Sequence, residues 1–448
     1  MFCQWSVLRR ERFVKVNKHL RHKVSLANLM AISQNHTCIH SHARKAPVTA
    51  IIAPVQTPLL DHPDLRTPTT TLPDIANPKD AHMPNSLPKT MNAFVLHKHG
   101  GMDAIEFHTD WAMPQVGPDD VLIKIGACGL NNTDVNTRSG WYSSTVTAAT
   151  TGDAYDDVSE DDPSWGGAPI QMPRIQGADA VGEIVAVGAN ASVDLIGKRV
   201  ITDCWQRDWS DPDNRDKTGY FGSERDGGFA QYATADRRNV GVIDSPLSDA
   251  ELATFSCSYT TAEGMLSRAN VDANDVVLVT GASGGVGSAL IQLAKRRGAK
   301  VVAMASEAKH AQMADLGADA LLPRSPANLK KALKAAIGQD TVTVVADIVG
   351  GPYFGTVIDA LSRGGRYTCS GAIAGPIVEL DLRTFYLRDL TFTGSTVVPT
   401  HIFGDLIGYI ERGEVRPMLA QTFALSELRE AQQTFIDKTH IGNIVVVP

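Results

Sequence analysis

The stretch TGASGGVGSA, residues 280–289, carries four glycines in ten positions. Glycine lets a backbone turn sharply and approach a pyrophosphate with no Cβ in the way. A phosphate seated there meets free N–H groups at the positive end of a helix. The flanking residues supply that context. VVLVT, immediately before, reads as a buried strand, and VGSALIQLAKRRG, running on from it, reads as an amphipathic helix ending at a glycine. The bland alternative is a glycine-rich turn with no ligand, and the strand–loop–helix setting outweighs it.

A second chemical clue lies at the end of the next strand, KVVAMA. NAD-specific sites place an acidic residue there to hold the ribose hydroxyls. This chain has Ser306, followed by Glu307, Ala308 and Lys309. A carboxylate would repel a 2′-phosphate, whereas Ser and Lys can hold one. Arg324 closes the following strand, LLPR. NADP(H) is therefore expected in preference to NAD(H). Glu307 is the acidic rival, and a solvated helix residue is the plain alternative for Lys309.

These groups need a scaffold, and the sequence indicates an α/β one. From residue 245 onward strands and helices alternate: VVLVT, VGSALIQLAKRRG, KVVAMA, EAKHAQMADLG, ALLP, LKKALKAAIG, VTVVADIVG, YFGTVIDALS and GRYTCSG. Repeated βα units imply a doubly wound parallel sheet with right-handed crossovers. Residues 91–244 read differently, as short strands such as NAFVL, DVLIKIGACGL, GEIVAVG and KRVITD between Gly- and Pro-rich turns. Residues 143–174 and 205–225 read as long loops. After 385 come helices near 402–412 and 426–437 and a closing strand IVVVP. The expected division is 1–90, 91–244, 245–385 and 386–448.

Residues 1–90 are expected to be a disordered or dispensable extension. The first fifty residues contain one acid, Glu11, among many basic residues, and prolines and threonines dominate residues 53–88. A basic, acid-poor start fits an organelle transit peptide. Met83 and Met91 equally fit a start site placed too far upstream.

The totals exclude several classes. With 448 residues and a net charge of −7, the chain lacks the basic balance of a nucleic-acid binder. No apolar run approaches the length of a membrane span. The six cysteines form no C-x-x-C pair, so a reducing, cytoplasmic setting is expected, with organelle targeting left open. The expected partner is a small-molecule substrate, with a homodimer as the one assembly considered.

The chain also resembles the medium-chain dehydrogenase/reductase superfamily over residues 91–448. The resemblance rests on ACGLNNTD with TRSG, GADAVGEIVAVG, GGFAQY, CSYTTAEGML, GASGGVG, LGADALL and GNIVVVP. It implies a Rossmann domain joined to a GroES-like β-rich catalytic domain, to which the end of the chain returns. Zinc members of the family carry a Cys where this chain has Asn131 and a His-Glu pair where it has Ala178-Asp179, leaving Cys257 as the last ligand type. A catalytic zinc needs about three protein ligands, so no metal ligand is assigned. The departure resembles the zinc-free quinone oxidoreductase and enoyl reductase branch. By that resemblance Asn131 contacts the nicotinamide ribose, and Ser283, Gly284, Gly285, Val286 and Gly287 cradle the pyrophosphate. Thr261 and Gly371 line the nicotinamide side, and Ser306, Lys309 and Arg324 hold the 2′-phosphate.

The implied reaction is hydride transfer from NADPH to a quinone or an α,β-unsaturated carbonyl. Charge developing on the carbonyl oxygen needs a donor. Many quinone reductases carry a Tyr where this chain has Asn136, so the hydroxyl must come from elsewhere. Thr133 is the first candidate and Tyr142 the second, with a packing role beside Trp141 as the plain reading of Tyr142. Two other functions remain in play: an alcohol dehydrogenase-type enzyme, and a non-catalytic cofactor-binding protein on the same fold.

Overall fold

The computed structural model describes residues 87–155, 158–159 and 169–448. The expected N-terminal extension falls almost wholly outside them, and so does part of the 143–174 segment.

Two sheets organise the chain. The first has six strands: Ala320–Leu322, Lys300–Met304, Val276–Val279, Val342–Asp347, Leu361–Cys369 and Thr391–Gly394, in that spatial order. Every pairing in it is parallel. In chain order this is third, second, first, fourth, fifth, sixth, the doubly wound dinucleotide-binding arrangement. Its central strands are buried on both faces, as crossover helices require: Val277, Leu278, Val301, Val302, Val344 and Val345 have no exposed surface. The sheet runs to Gly394, past the expected boundary at 385. TFTG is too short and too polar to announce a strand, and it is made one by pairing with the strand Leu361–Cys369.

The second sheet has seven strands and is mainly antiparallel. Its path runs Leu419–Ala424, Asn443–Val447, Asp120–Gly129, Asp179–Val187, Arg199–Thr202 and Val240–Val242, with Tyr232–Asp236 also paired to Asp120–Gly129. The last strand of the chain thus lies antiparallel to Asp120–Gly129, Val445 opposite Gly129. This pairing brings the C-terminal segment back beside the glycine loop. Gly284 and Gly442 form a β-bridge, and the Gly442 N–H donates to Ser283 O at 3.1 Å. The two sheets share a hydrophobic core built around the helices Ser256–Arg268 and Gly285–Arg296, reaching from Val181 and Val445 to Val279 and Ala346.

Candidate active site

At the centre of the parallel sheet the crossovers reverse direction between Val276–Val279 and Val342–Asp347, which is where a doubly wound sheet opens a crevice. The structure has a cavity of about 340 Å³ there. Thr280 and Asp347 sit at its base, joined by a 2.5 Å hydrogen bond from Thr280 Oγ1 to Asp347 Oδ1. Asp347 also accepts from Tyr367 OH at 2.9 Å and from the Val349 N–H at 2.8 Å. Those bonds satisfy a carboxyl group that is only 1% exposed.

The glycine loop forms one wall. Gly281 has φ +57°, a conformation that favours glycine. A Cβ on Gly287 would lie 2.3 Å from Gly281 O and 2.7 Å from the Ala282 Cα. The absence of that carbon is what lets the loop fold over the start of the helix Gly285–Arg296. The first turn of that helix leaves N–H groups without helical acceptors. Ser283, Gly284, Gly285 and Val286 line the cavity, and Gly287 lies behind them as the packing glycine.

Positive charge gathers at another part of the wall. Lys309, Arg324, Lys438 and His440 all line the cavity. Lys309 Nζ donates to Lys438 O at 3.0 Å and to His440 O. Desolvation, then the neighbouring Arg324, lowers the Lys309 pKa. Lys438 is exposed over the whole residue, yet its ammonium is tucked in. It donates to Asn132 Oδ1 at 2.9 Å and lies 4.0 Å from the Phe435 ring centroid. Burial of the ammonium, with Lys309 nearby, brings its pKa down to about 8. The same two causes, burial first and then the adjacent lysines, push His440 down to about 4, so its imidazole is neutral at pH 7. Crowded cations with depressed pKa values mark a place where an anion relieves the repulsion.

Ser306 is half-buried and does not line the cavity, although Met304 and Ala305 beside it do. Its carbonyl accepts from the Lys309 N–H at 2.9 Å. Glu307 points to solvent, at the start of a short 3-10 turn. At the opposite end Asn131 and Asn132 line the cavity together with Ile373 and Ala374. Thr261 and Gly371 do not reach it, although Gly371 is close to Ile373 in the same loop. Lys438 and His440 carry no motif, and their part in the site depends on the returning C-terminal strand. The available signal was their position just before the terminal GNIVVVP.

Asn131 leads to a second group of side chains. Its Nδ2 donates to Asp179 Oδ2 at 3.0 Å, and Asp179 Oδ1 accepts from the Cys257 N–H at 2.7 Å. Asp134 accepts from the N–H groups of Asn131 at 2.7 Å and Gly177 at 3.1 Å. Burial pushes the carboxyl groups of both Asp134 and Asp179 up to about 7. Tyr220 OH donates to Cys257 Sγ at 3.0 Å and lies 3.5 Å from Thr133 Oγ1. Tyr142 is half-buried, stacks edge-on to Trp141 at 5.5 Å and hydrogen-bonds the Asn136 side chain; desolvation raises its phenol pKa. Neither Thr133 nor Tyr142 lines the cavity itself. Tyr220, inside the 205–225 segment read as a long loop, is a neighbour that sequence reasoning missed.

This corner is where a catalytic zinc of the fold would sit, and its donor set does not fit one. Asn131 gives its amide to Asp179, Ala178 has no ligand atom, and Cys257 Sγ already accepts a hydrogen bond. Among the described residues, the one group of three His, Cys, Asp or Glu ligand atoms close enough to share an ion lies elsewhere.

Residues 117–245 match the family model "Alcohol dehydrogenase GroES-like domain", and residues 285–412 match "Zinc-binding dehydrogenase". A solved chain from Sinorhizobium meliloti 1021, provisionally named an alcohol dehydrogenase, is 43% identical. It covers 81% of this chain and 98% of its own length, with a TM-score of 0.74. Human quinone oxidoreductase is 26% identical over 78% of this chain and 94% of its own length. The chloroplastic NADPH-dependent alkenal/one oxidoreductase of Arabidopsis thaliana is 26% identical over 81% of each chain. No helix of the described residues is long and apolar enough to cross a membrane. The GroES-like sheet, the parallel dinucleotide-binding sheet and these relatives place the chain in the medium-chain dehydrogenase/reductase superfamily, as an NAD(P)H-dependent oxidoreductase.

Proposed function

We propose that this oxidoreductase reduces a quinone or an α,β-unsaturated carbonyl at the expense of NADPH and without zinc. The observation that carries the reading is the corner around Cys257, where hydrogen-bonded Asn131, Asp179 and Tyr220 stand in place of a metal's ligands. When bound, NADPH supplies the hydride.

The chain's own residues hold and orient it. The glycine loop offers N–H groups to the pyrophosphate. Lys309, Arg324 and Lys438 hold the 2′-phosphate, Ser306 supports them, and the neutral His440 contributes a hydrogen bond without further charge. Asn131, fixed by Asp134 and Asp179, meets the nicotinamide ribose, and Thr261 and Gly371 are the further residues proposed for the nicotinamide side. The NADPH-dependent alkenal/one relative supports the choice of cofactor. Thr133, kept in place by Tyr220, donates to the carbonyl oxygen of the substrate, with Tyr142 as the second candidate. The four described free cysteines fit a reducing compartment such as the cytoplasm. Ile377, Leu382, Tyr386 and Leu387, exposed close to the edge strand Thr391–Gly394, support a homodimer.

The experiment is NADPH oxidation in chelated buffer with a panel of quinones, enones, saturated aldehydes and alcohols. Turnover confined to the quinones and enones is expected. Turnover of simple alcohols with NAD⁺, lost on chelation, would establish the alcohol dehydrogenase reading instead. That reading is favoured by the name given to the Sinorhizobium meliloti relative.

A further inference from the structure

A second cluster of reactive side chains lies far along the chain from this chemistry, on the first hairpin. The strands Thr90–Leu96 and Ile105–Ala112 pair antiparallel, with Val95 opposite Glu106 and Ala93 opposite His108. Between the pairs Ala93–His108 and Met91–Trp111, the two residues Thr109 and Asp110 face the single Asn92. This bulge shifts the side-chain alternation by one position, so Trp111 joins the face that carries Glu106 and His108. His97 follows the first strand and turns toward the same face. Its ring lies 5.5 Å from that of His108 and 6.4 Å from that of Trp111.

The ligand atoms converge. His97 Nε2 and His108 Nε2 are 3.3 Å apart, and Glu106 Oε2 is 3.7 Å from each. Two neutral imidazoles meeting nitrogen to nitrogen share one hydrogen bond at best. Two nitrogens bound at about 2.0–2.1 Å to one tetrahedral ion stand roughly 3.3–3.4 Å apart. The observed separation is that distance. The carboxylate needs to move inward by a few tenths of an ångström, which a Glu side chain 58% exposed can do. His97 and His108 are 39% and 26% exposed, so an ion reaches them without the hairpin opening.

We propose that His97, Glu106 and His108 bind one late first-row divalent ion, of the Zn²⁺, Ni²⁺ or Cu²⁺ class, and that the ion clamps the open turn of the hairpin. Two imidazoles and a carboxylate suit such ions, and water completes the coordination. The site needs the register and the bulge of the folded hairpin, so the ion binds the native chain and stabilises it. It is separate from the cofactor cavity, none of whose lining residues it shares.

Trp111 reports occupancy, because its ring lies 5.1 Å from that of His108 and bound Cu²⁺ quenches indole emission. The full chain is titrated with Cu²⁺ and followed by tryptophan fluorescence, then displaced with Zn²⁺. One equivalent should quench saturably, and Trp111→Phe should remove the quenched component. His108→Ala should weaken the binding at least tenfold and Glu106→Gln several-fold. Zn²⁺ should raise the thermal midpoint of the wild type and leave that of His108→Ala unmoved. His19, His22, His36, His40 and His42 supply other ligands in this chain. Equal quenching midpoints in wild type and His97→Ala/His108→Ala would put the copper there and overturn the hairpin site. Emission that responds to pH but not to the ion would reduce the cluster to a shared proton. If His108→Ala does not fold, Glu106→Gln decides: an unaltered quenching midpoint sinks the proposal.

Discussion

The two ends of the candidate site are built on opposite principles. The phosphate end is made of backbone: a glycine loop whose shape follows from φ angles and missing Cβ atoms, with N–H groups as its ligands. The end around Cys257 is made of side chains, Asn131, Asp179, Tyr220 and Thr133, whose meaning depends on which of them touch. A backbone site tolerates little change at its glycines and is indifferent to the identity of most neighbours. A side-chain site can exchange one chemistry for another on an unchanged fold. This is how a fold matched by a zinc-binding family model comes to carry an amide, a methyl group and a hydrogen-bonded carboxyl group beside Cys257.

The broadest effect, on both cofactors at once, should come from breaking the backbone end. Gly287→Val puts a branched side chain where a Cβ already lies 2.3 Å from Gly281 O. The loop must shift, and overpacking of this kind costs about 1–3 kcal/mol or more. NADPH and NADH should weaken together by at least tenfold, measured by calorimetry, with the ratio between them unchanged. A changed ratio with intact affinity would mean the loop does not carry the shared pyrophosphate.

At the side-chain end the expected loss is in kcat. Thr133→Val removes the proposed donor but keeps the shape, and losing one such donor typically costs about 10²–10³. Tyr142→Phe should cost less, because its hydroxyl already serves Asn136. If the two effects are reversed, Tyr142 is the donor and Thr133 serves to place Tyr220. Cofactor affinity should hold in both variants.

The cation cluster comes next. A charge-assisted contact is worth roughly 1.5–3 kcal/mol, so Lys438→Ala or Arg324→Ala should weaken NADPH by about tenfold and leave NADH unaffected. The pH dependence follows from Lys438. Its pKa in the free protein is about 8, lowered by burial and by Lys309. The protonated form attracts the phosphate, so NADPH affinity should be full near pH 7 and fall several-fold as pH rises through 8, with a proton taken up on binding. NADH titrated over the same range should stay flat, and Lys438→Arg should flatten the NADPH curve.

These predictions separate what was legible in the sequence from what was not. The parallel sheet was readable because apolar runs, helical periodicity and glycine stops recur unit by unit. The loop at 280–287 was readable because glycine is demanded by local geometry. Lys309 and Arg324, which line the cavity, were legible from their places shortly after two strands. Lys438 and His440 were not, because they join Lys309 through a strand pairing between the C-terminal segment and Asp120–Gly129. Tyr220 lay in a segment that read only as a long loop, and the strand Thr391–Gly394 has no pattern of its own. The hairpin cluster depended on a bulge, and pairing register is not written in either strand alone.

The smallest expected effect is none: exhaustive chelation should leave turnover unchanged. Of the three positions that would ligate a catalytic zinc, Ala178 offers nothing and the Asn131 amide donates to Asp179. Each oxygen of Asp179 accepts one hydrogen bond, from Asn131 and from the Cys257 N–H, and Cys257 Sγ accepts from Tyr220. A single thiol falls short of the three protein ligands that a catalytic zinc requires. Chelation would still empty a clamp at His97, Glu106 and His108, so metal content by itself cannot decide the matter. The decisive pairing is His108→Ala with wild type, each assayed before and after chelation. Equal turnover in all four samples, with a lower thermal midpoint only in the chelated wild type relative to its untreated form, assigns any metal to the hairpin. Turnover that falls in both proteins in step with loss of one zinc per chain would show that the corner at Cys257 recruits a metal despite its hydrogen bonds, and the zinc-free reaction would have to be abandoned.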